Sequence, residues 1–174
     1  MENCRITLPT QPIMSNELLL RNWAKKSKER QKLYTKFLSR AGKNDILRLL
    51  PDLHEEAFSH INCLDCAACC KNYSPRFNTT DIKRISKHLN LKSGDFINKY
   101  LKVDEEEDYV LQSKPCTFLG EDNFCSIYEV RPKDCIRFPY TDEDVFIKKP
   151  KITKKNSTFC PAVYFVLEKF IEKK

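Results

Sequence analysis

Apolar residues recur at helical spacing along much of this chain. Leu19, Trp23, Leu33, Phe37 and Ala41 predict an amphipathic helix that Ser15 caps and Gly42 ends. The stripe thins between Trp23 and Leu33, so the middle of this helix is expected to be solvated. The stretch NDILRLLPDLHEEAFSHI predicts two helical pieces. Pro51 interrupts backbone bonding there, and Asp52 with Glu55 forms a capping-box pattern for the second piece. FNTTDIKRISKHLN predicts a helix capped by Thr79 or Thr80, with Ile82, Ile85 and Leu89 inward. LKSGDFINKYL predicts another short helix, capped by Ser93, and DYVLQSK a short strand. EDVFIKKPKITKK is expected to hold one more strand, and FCPAVYFVLEKFIEKK a final helix with Cys160 just before its first-turn proline. Residues 1–14 carry two prolines and read as irregular. The stretch KPCTFLGEDNFCSIYEVRPKDCIRFPY reads as loops wrapped on something. These elements give a mainly α fold with short β-strands. A basic helical region over residues 1–59 is expected to pack on a cysteine-cluster domain over residues 60–174.

Composition narrows the function. With 174 residues, 41% of them apolar, the chain can build a real core. It has three glycines, and neither a dinucleotide-binding loop nor a Walker loop is present. The formal charge of +7 is read mainly as a solvated basic face. A protein or other anionic partner is the alternative, with an anionic membrane surface or nucleic acid among the candidates. The chain matches no nucleic-acid-binding module. The first thirty residues carry no signal-peptide pattern, and no run approaches a membrane span. A cytoplasmic location is therefore expected, where thiols stay reduced.

That expectation sharpens the question of nine cysteines. An odd count fits a closed disulfide set poorly. Cys4 is isolated near a terminus and reads as an ordinary thiol. Cys63, Cys66 and Cys69 stand at C-x2-C-x2-C spacing, with Cys70 adjacent, followed by Cys116, Cys125, Cys135 and Cys160. Two-residue gaps let a tight turn aim successive sulfurs at one point. Thiolates select zinc, copper(I) or iron–sulfur centres. The first three cysteines match part of a cubane-binding run whose fourth ligand is a Cys-Pro; here the Cys-Pro is Cys160. Two adjacent cysteines do not both reach one point without strain. Cys69 and Cys70 therefore either serve different centres, or one ligates while the other packs. The eight thiols permit two four-cysteine zinc sites, or one [4Fe–4S] cluster with spare thiols.

Other groups carry weaker readings. Of His54, His60 and His88, His60 is nearest the cluster in sequence, but a helix-end role is expected. The run DEEED at 104–108 is expected to be a solvated turn. Tyr128, Arg131 and Arg137 sit among the ligand candidates, where arginine offsets thiolate charge. Phe118, Phe124, Phe138 and Tyr140 are expected to exclude water. No nucleophilic triad is found. Besides a structural metal site, the readings are an oxidoreductase or electron carrier, and a zinc-stabilised basic interaction module.

The motifs taken together resemble the zinc- or iron-chelating cysteine-cluster family named for its CxxCxxCC motif. They are CLDCAACC at 63–70, TTDIKRISKHLNLKSGDFINKYL, CTFLG at Cys116, CSIYEVRPKDC from Cys125 to Cys135, and Cys160. The resemblance spans roughly residues 60–165 and implies a metal-chelating domain. Related clusters occur in oxidoreductases and in a flagellin lysine methylase, so it implies no single reaction. The family often has arginine after its double cysteine; here Lys71 keeps the charge without the forked geometry. In CIRFP, Arg137 stands one place later than the family's usual arginine.

Overall fold

The computed structural model describes residues 20–40 and 43–172, with side chains from 45 in the second stretch. Ser15, Leu19, Ala41 and Gly42, invoked for the first helix, lie outside them, as do Cys4 and the rest of the 1–14 stretch. The described part of that helix is two: α1 (Trp23–Glu29) and α2 (Gln31–Arg40). They meet at Arg30, whose backbone leaves helical geometry (φ −92°, ψ 5°). From this break Arg30 reaches the buried carboxylate of Glu168 at 2.7 Å, and Tyr34 donates to the same oxygen at 2.6 Å.

α3 (Lys43–His60) runs unbroken through Pro51, which corrects the expected division and the Asp52 cap. A proline inside a helix costs about 3 kcal/mol. Ile46, Leu50, Leu53 and Ala57, all buried, form one helical stripe across it. Burial of that stripe outweighs the lost backbone bond. Its partner is α11 (Pro161–Glu172), the expected C-terminal helix. Ala162 to Leu167 are all buried, so α11 is enclosed nearly all round. Around these two helices, Tyr34, Phe37, Phe146 and Ile147 complete the larger core.

The expected strand in EDVFIKKPKITKK is instead two short helices, α9 (Val145–Lys148) and α10 (Pro150–Ser157). Pro150 starts α10, where its missing N–H is harmless. Phe146 and Ile147 turn together into the larger core rather than alternating across a sheet. Ser27 on α1 donates to Ser157 at 2.8 Å, joining the first helix to α10.

A second, smaller core lies beyond the cysteine motif. Helix α6 (Thr79–His88) is capped by Asn78, not by Thr79 or Thr80. Asn78 accepts the Asp81 N–H at 2.9 Å, and Asp81 accepts the Asn78 N–H in return. Helix α7 (Ser93–Tyr100) begins at Ser93, with Lys92 rather than Ser93 at its cap position and no side-chain cap. The Ser93 hydroxyl pairs with that of Ser86 instead. The chain passes directly into β1 (Leu101–Val103), which pairs antiparallel with β2 (Tyr109–Leu111), the expected strand. The acidic run forms the turn between them: Asp104 accepts the N–H groups of Glu106 and Asp108. Ile82, Ile85, Phe96, Leu101, Leu111, Phe118 and Ile127 fill this second core. The architecture is mainly helical with one two-stranded sheet.

Candidate metal centre

The two cores flank the cysteines. α3 delivers the chain to Asn62, whose side chain accepts the Leu64 N–H and caps the one-turn helix α4 (Cys63–Cys66). Ala67 then takes a left-handed conformation (φ 44°) and starts the short helix α5 (Ala68–Asn72). Alanine is strained there, and the small side chain keeps the reversal compact. This reversal lets CxxCxxCC present four sulfurs from two short turns.

Backbone bonds bring the distant cysteines alongside. The Cys70 carbonyl accepts the Cys116 N–H at 2.8 Å. Cys116 and Cys125 bracket a turn closed by Gly120 N–H to the Phe124 carbonyl (2.7 Å) and Ser126 N–H to the Phe118 carbonyl (2.8 Å). A Cβ on Gly120 would stand 3.3 Å from the Phe124 carbonyl oxygen and 2.6 Å from the Asp122 carboxylate, so a side chain here would require the Asp122 carboxylate to move. Cys135 rides on α8 (Lys133–Arg137). The preceding Asp134 is buried and accepts the Tyr73 hydroxyl (2.5 Å), the Arg76 N–H (3.1 Å) and the Tyr140 hydroxyl. That network fastens α8 to the chain just after Cys70. Cys160 precedes α11 and is buried against the larger core.

All eight of these cysteines are free thiols, and all eight line one cavity of about 690 Å³. Among the described residues, no three His, Cys, Asp or Glu side chains stand as ready-made ligands of a single ion. The sulfurs surround a volume rather than a point.

The sulfurs also lie close enough to act on one another. Burial, and after it the nearby sulfurs, raises most of the thiols. Cys160, pushed up to about 12, feels Cys63 and Cys66, and Cys69 feels Cys160 and Cys63. Cys116, pushed up to about 11, feels Cys70 and Cys125, and Cys135 feels Cys70, Cys116 and Cys125. Cys70 acts on all sides, on Cys63 and Cys69 as well as on Cys116, Cys125 and Cys135, and its sulfur lies 3.9 Å from that of Cys69. A proton held between these two sulfurs keeps Cys69 protonated and brings Cys70 down to about 7, with Lys71 adding its charge.

The expected accessory residues divide. Arg131 lowers the Cys125 thiol against the larger effect of burial, and its guanidinium lies 3.8 Å from the Tyr128 ring centroid. Tyr128 itself is half exposed at the cavity mouth. Arg137 lines the cavity but is ion-paired with Glu143. Phe118, Phe138 and Tyr140 are wholly or partly buried, whereas Phe124 is 56% exposed and shields nothing. His60 is exposed and rests 6.2 Å from the Phe165 ring. His88 is exposed on α6.

Sequence reasoning did not single out His54, Tyr73, Asp134 or Phe159. His54 lines the cavity and pairs with the Thr141 hydroxyl at 2.8 Å. Tyr73, Phe138 and Phe159 stack at 5.4–5.8 Å along one wall. The position of Asp134 beside Cys135 was the one available signal.

No solved structure matches this chain. A family model does, over residues 62–161: CxxCxxCC, described as "Putative zinc- or iron-chelating domain". The match covers every one of the eight cysteines and more than half of the chain, and the chain belongs to the CxxCxxCC family.

Proposed function

We infer that this chain is an iron–sulfur protein in which cysteine thiolates hold a [4Fe–4S] centre with a redox or structural role. One observation carries the reading. Eight free thiols from separate segments line a single cavity and surround a volume. A lone zinc draws four sulfurs to about 2.3 Å from one point. A cluster interposes its own irons and sulfides, and so suits sulfurs spaced around a cavity. The donor set is drawn from Cys63, Cys66, Cys69, Cys70, Cys116, Cys125, Cys135 and Cys160. When bound, such a cluster supplies reversible one-electron transfer. The chain's own part is to orient the thiols and limit water. Asp134 fixes the Cys135 helix, the Tyr73–Phe138–Phe159 stack walls the cavity, and Arg131 offsets charge beside Cys125. A reducing, cytoplasmic setting accords with eight thiols kept free.

Anaerobic purification with metal and sulfide analysis tests this. The expected result is iron with acid-labile sulfide, and absorption near 400 nm that bleaches on reduction. Zinc without visible absorption would replace the iron–sulfur reading with a structural thiolate site.

A further inference from the structure

We propose that the eight thiols form two metal centres. Cys63, Cys66, Cys69 and Cys160 hold the first, and Cys70, Cys116, Cys125 and Cys135 hold the second. The inference rests on the thiolate-metal reading above and goes beyond it, fixing the number of centres and their ligands.

Three features of the fold support the division. The first is the direction of successive side chains. Cys69 and Cys70 are neighbours on α5, and successive residues on a helix point about 100° apart. Their sulfurs are 3.9 Å from each other, and it is Cys70 whose carbonyl accepts the Cys116 N–H at 2.8 Å, which places it beside the second set.

The second is the source of each set. The first set comes from the larger core. α3 runs into Cys63, α11 starts after Cys160, and these helices pack on each other through the His60–Phe165 contact among others. The second set comes from the smaller core and its loops. Cys116 is bonded through its backbone to Cys70, Cys125 closes the same turn, and Cys135 is tied to the Tyr73 segment through Asp134. The two sets therefore have different main anchors, share α5 where they meet, and each has four thiols.

The third is the open arrangement of the sulfurs. All eight thiols line the same cavity of about 690 Å³, room enough for more than one centre. Two centres joined across the Cys69–Cys70 peptide account for the use of all eight thiols. A single four-thiolate centre would leave four free cysteines in the same cavity with no chemical role.

The test uses cobalt(II) as the probe on the full-length apo chain, read by tetrahedral thiolate absorption. Two equivalents are expected at saturation. Cys135→Ala and Cys160→Ala should each halve the bound cobalt. The same-set pair Cys125→Ala/Cys135→Ala should also retain half, whereas Cys135→Ala/Cys160→Ala should lose all. Saturation at one equivalent, or loss of all cobalt from both single variants with helical content intact, overturns the division. A measurement on the unaltered chain guards against misfolded variants. Full anaerobic reconstitution should give about eight irons per chain, as two [4Fe–4S] clusters, with paramagnetic spectra split by coupling between them on reduction. One uncoupled cluster would overturn the division while leaving the iron–sulfur reading standing. Binding of neither metal would sink both.

Discussion

The α3–α11 pair and the 112–140 loop hold cysteines to the same cavity by opposite means. On the facing sides of α3 and α11 large apolar side chains are buried, with Leu50, Leu53, Phe165 and Leu167 at 0–1% exposure. In the loop, Phe124, Tyr128 and Ile136 are 50–56% exposed. Burial of one large apolar side chain contributes about 1.5–3 kcal/mol, so the helical pair is secured many times over. The loop has Phe118 and Ile127 in the smaller core, a set of turn hydrogen bonds, and three thiols. The Asp134 network and the Arg84 bonds to the Val130 and Arg131 carbonyls also tie it down; its remaining order is expected to depend on what those thiols hold, and the helical pair is expected to stand without it.

The largest expected effect comes from breaking that contrast directly. Structural thiolate metals contribute roughly 10–16 kcal/mol of apparent binding energy. Metal removal by an anaerobic chelator should abolish amide-exchange protection over residues 112–140, while α3 and α11 keep theirs. Equal loss in both regions would show that the helical pair depends on metal too.

Phe165→Ala should act in the reverse sense. It is expected to destabilise the whole chain by about 3–5 kcal/mol, measured by denaturant unfolding of metal-free protein. Glu168→Ala removes the partner of Arg30 and leaves the buried Tyr34 hydroxyl unpaired. A cost of about 1–3 kcal/mol is expected, again without metal.

Asp134→Asn sharpens the comparison from the loop side. It weakens the acceptor for Tyr73 and Tyr140 next to Cys135. Metal retention against a competing chelator should fall several-fold, with the unfolding midpoint of the metal-free helical core unchanged.

Proton competition gives a smaller, graded effect. Burial holds Cys116 at about 11 and Cys160 at about 12, so both are protonated at neutral pH before metal arrives. Binding must displace those protons. Apparent metal affinity should therefore rise with pH, about tenfold per unit for each proton displaced. Competition titrations at two pH values check the slope and its sign.

The same contrast explains which parts of the molecule were legible from sequence. The C-terminal helix was readable because Ala162 to Leu167 are apolar in one run after a proline. The hairpin strand was readable from its alternating residues. Pro51 misled because local breaking lost to a stripe whose burial appears only once α11 is in place. The EDVFIKKPKITKK stretch misled because Val145, Phe146 and Ile147 satisfy a short strand and a short helix equally. Only the core behind Phe146 and Ile147 decides between them. Thr79 and Thr80 gave way to Asn78 because the reciprocal bond with Asp81 selects the residue three places earlier.

The site divides in the same way. Cys63 to Cys70 announced themselves by spacing. Their gathering with Cys116 onto one cavity depends on the Ala67 reversal and the Cys70–Cys116 backbone bond, neither of which spacing encodes. Asp134 and Tyr73 are separated by 61 residues and become partners only in the fold.

The central claim is that sulfur alone grips the metal. X-ray absorption at the metal edge, on full-length protein purified anaerobically, tests it most directly. The account predicts a first shell of sulfur alone at about 2.3 Å, with a further metal–metal distance where iron is bound. A shell containing nitrogen or oxygen ligands, or protein that carries no metal at all, would contradict it.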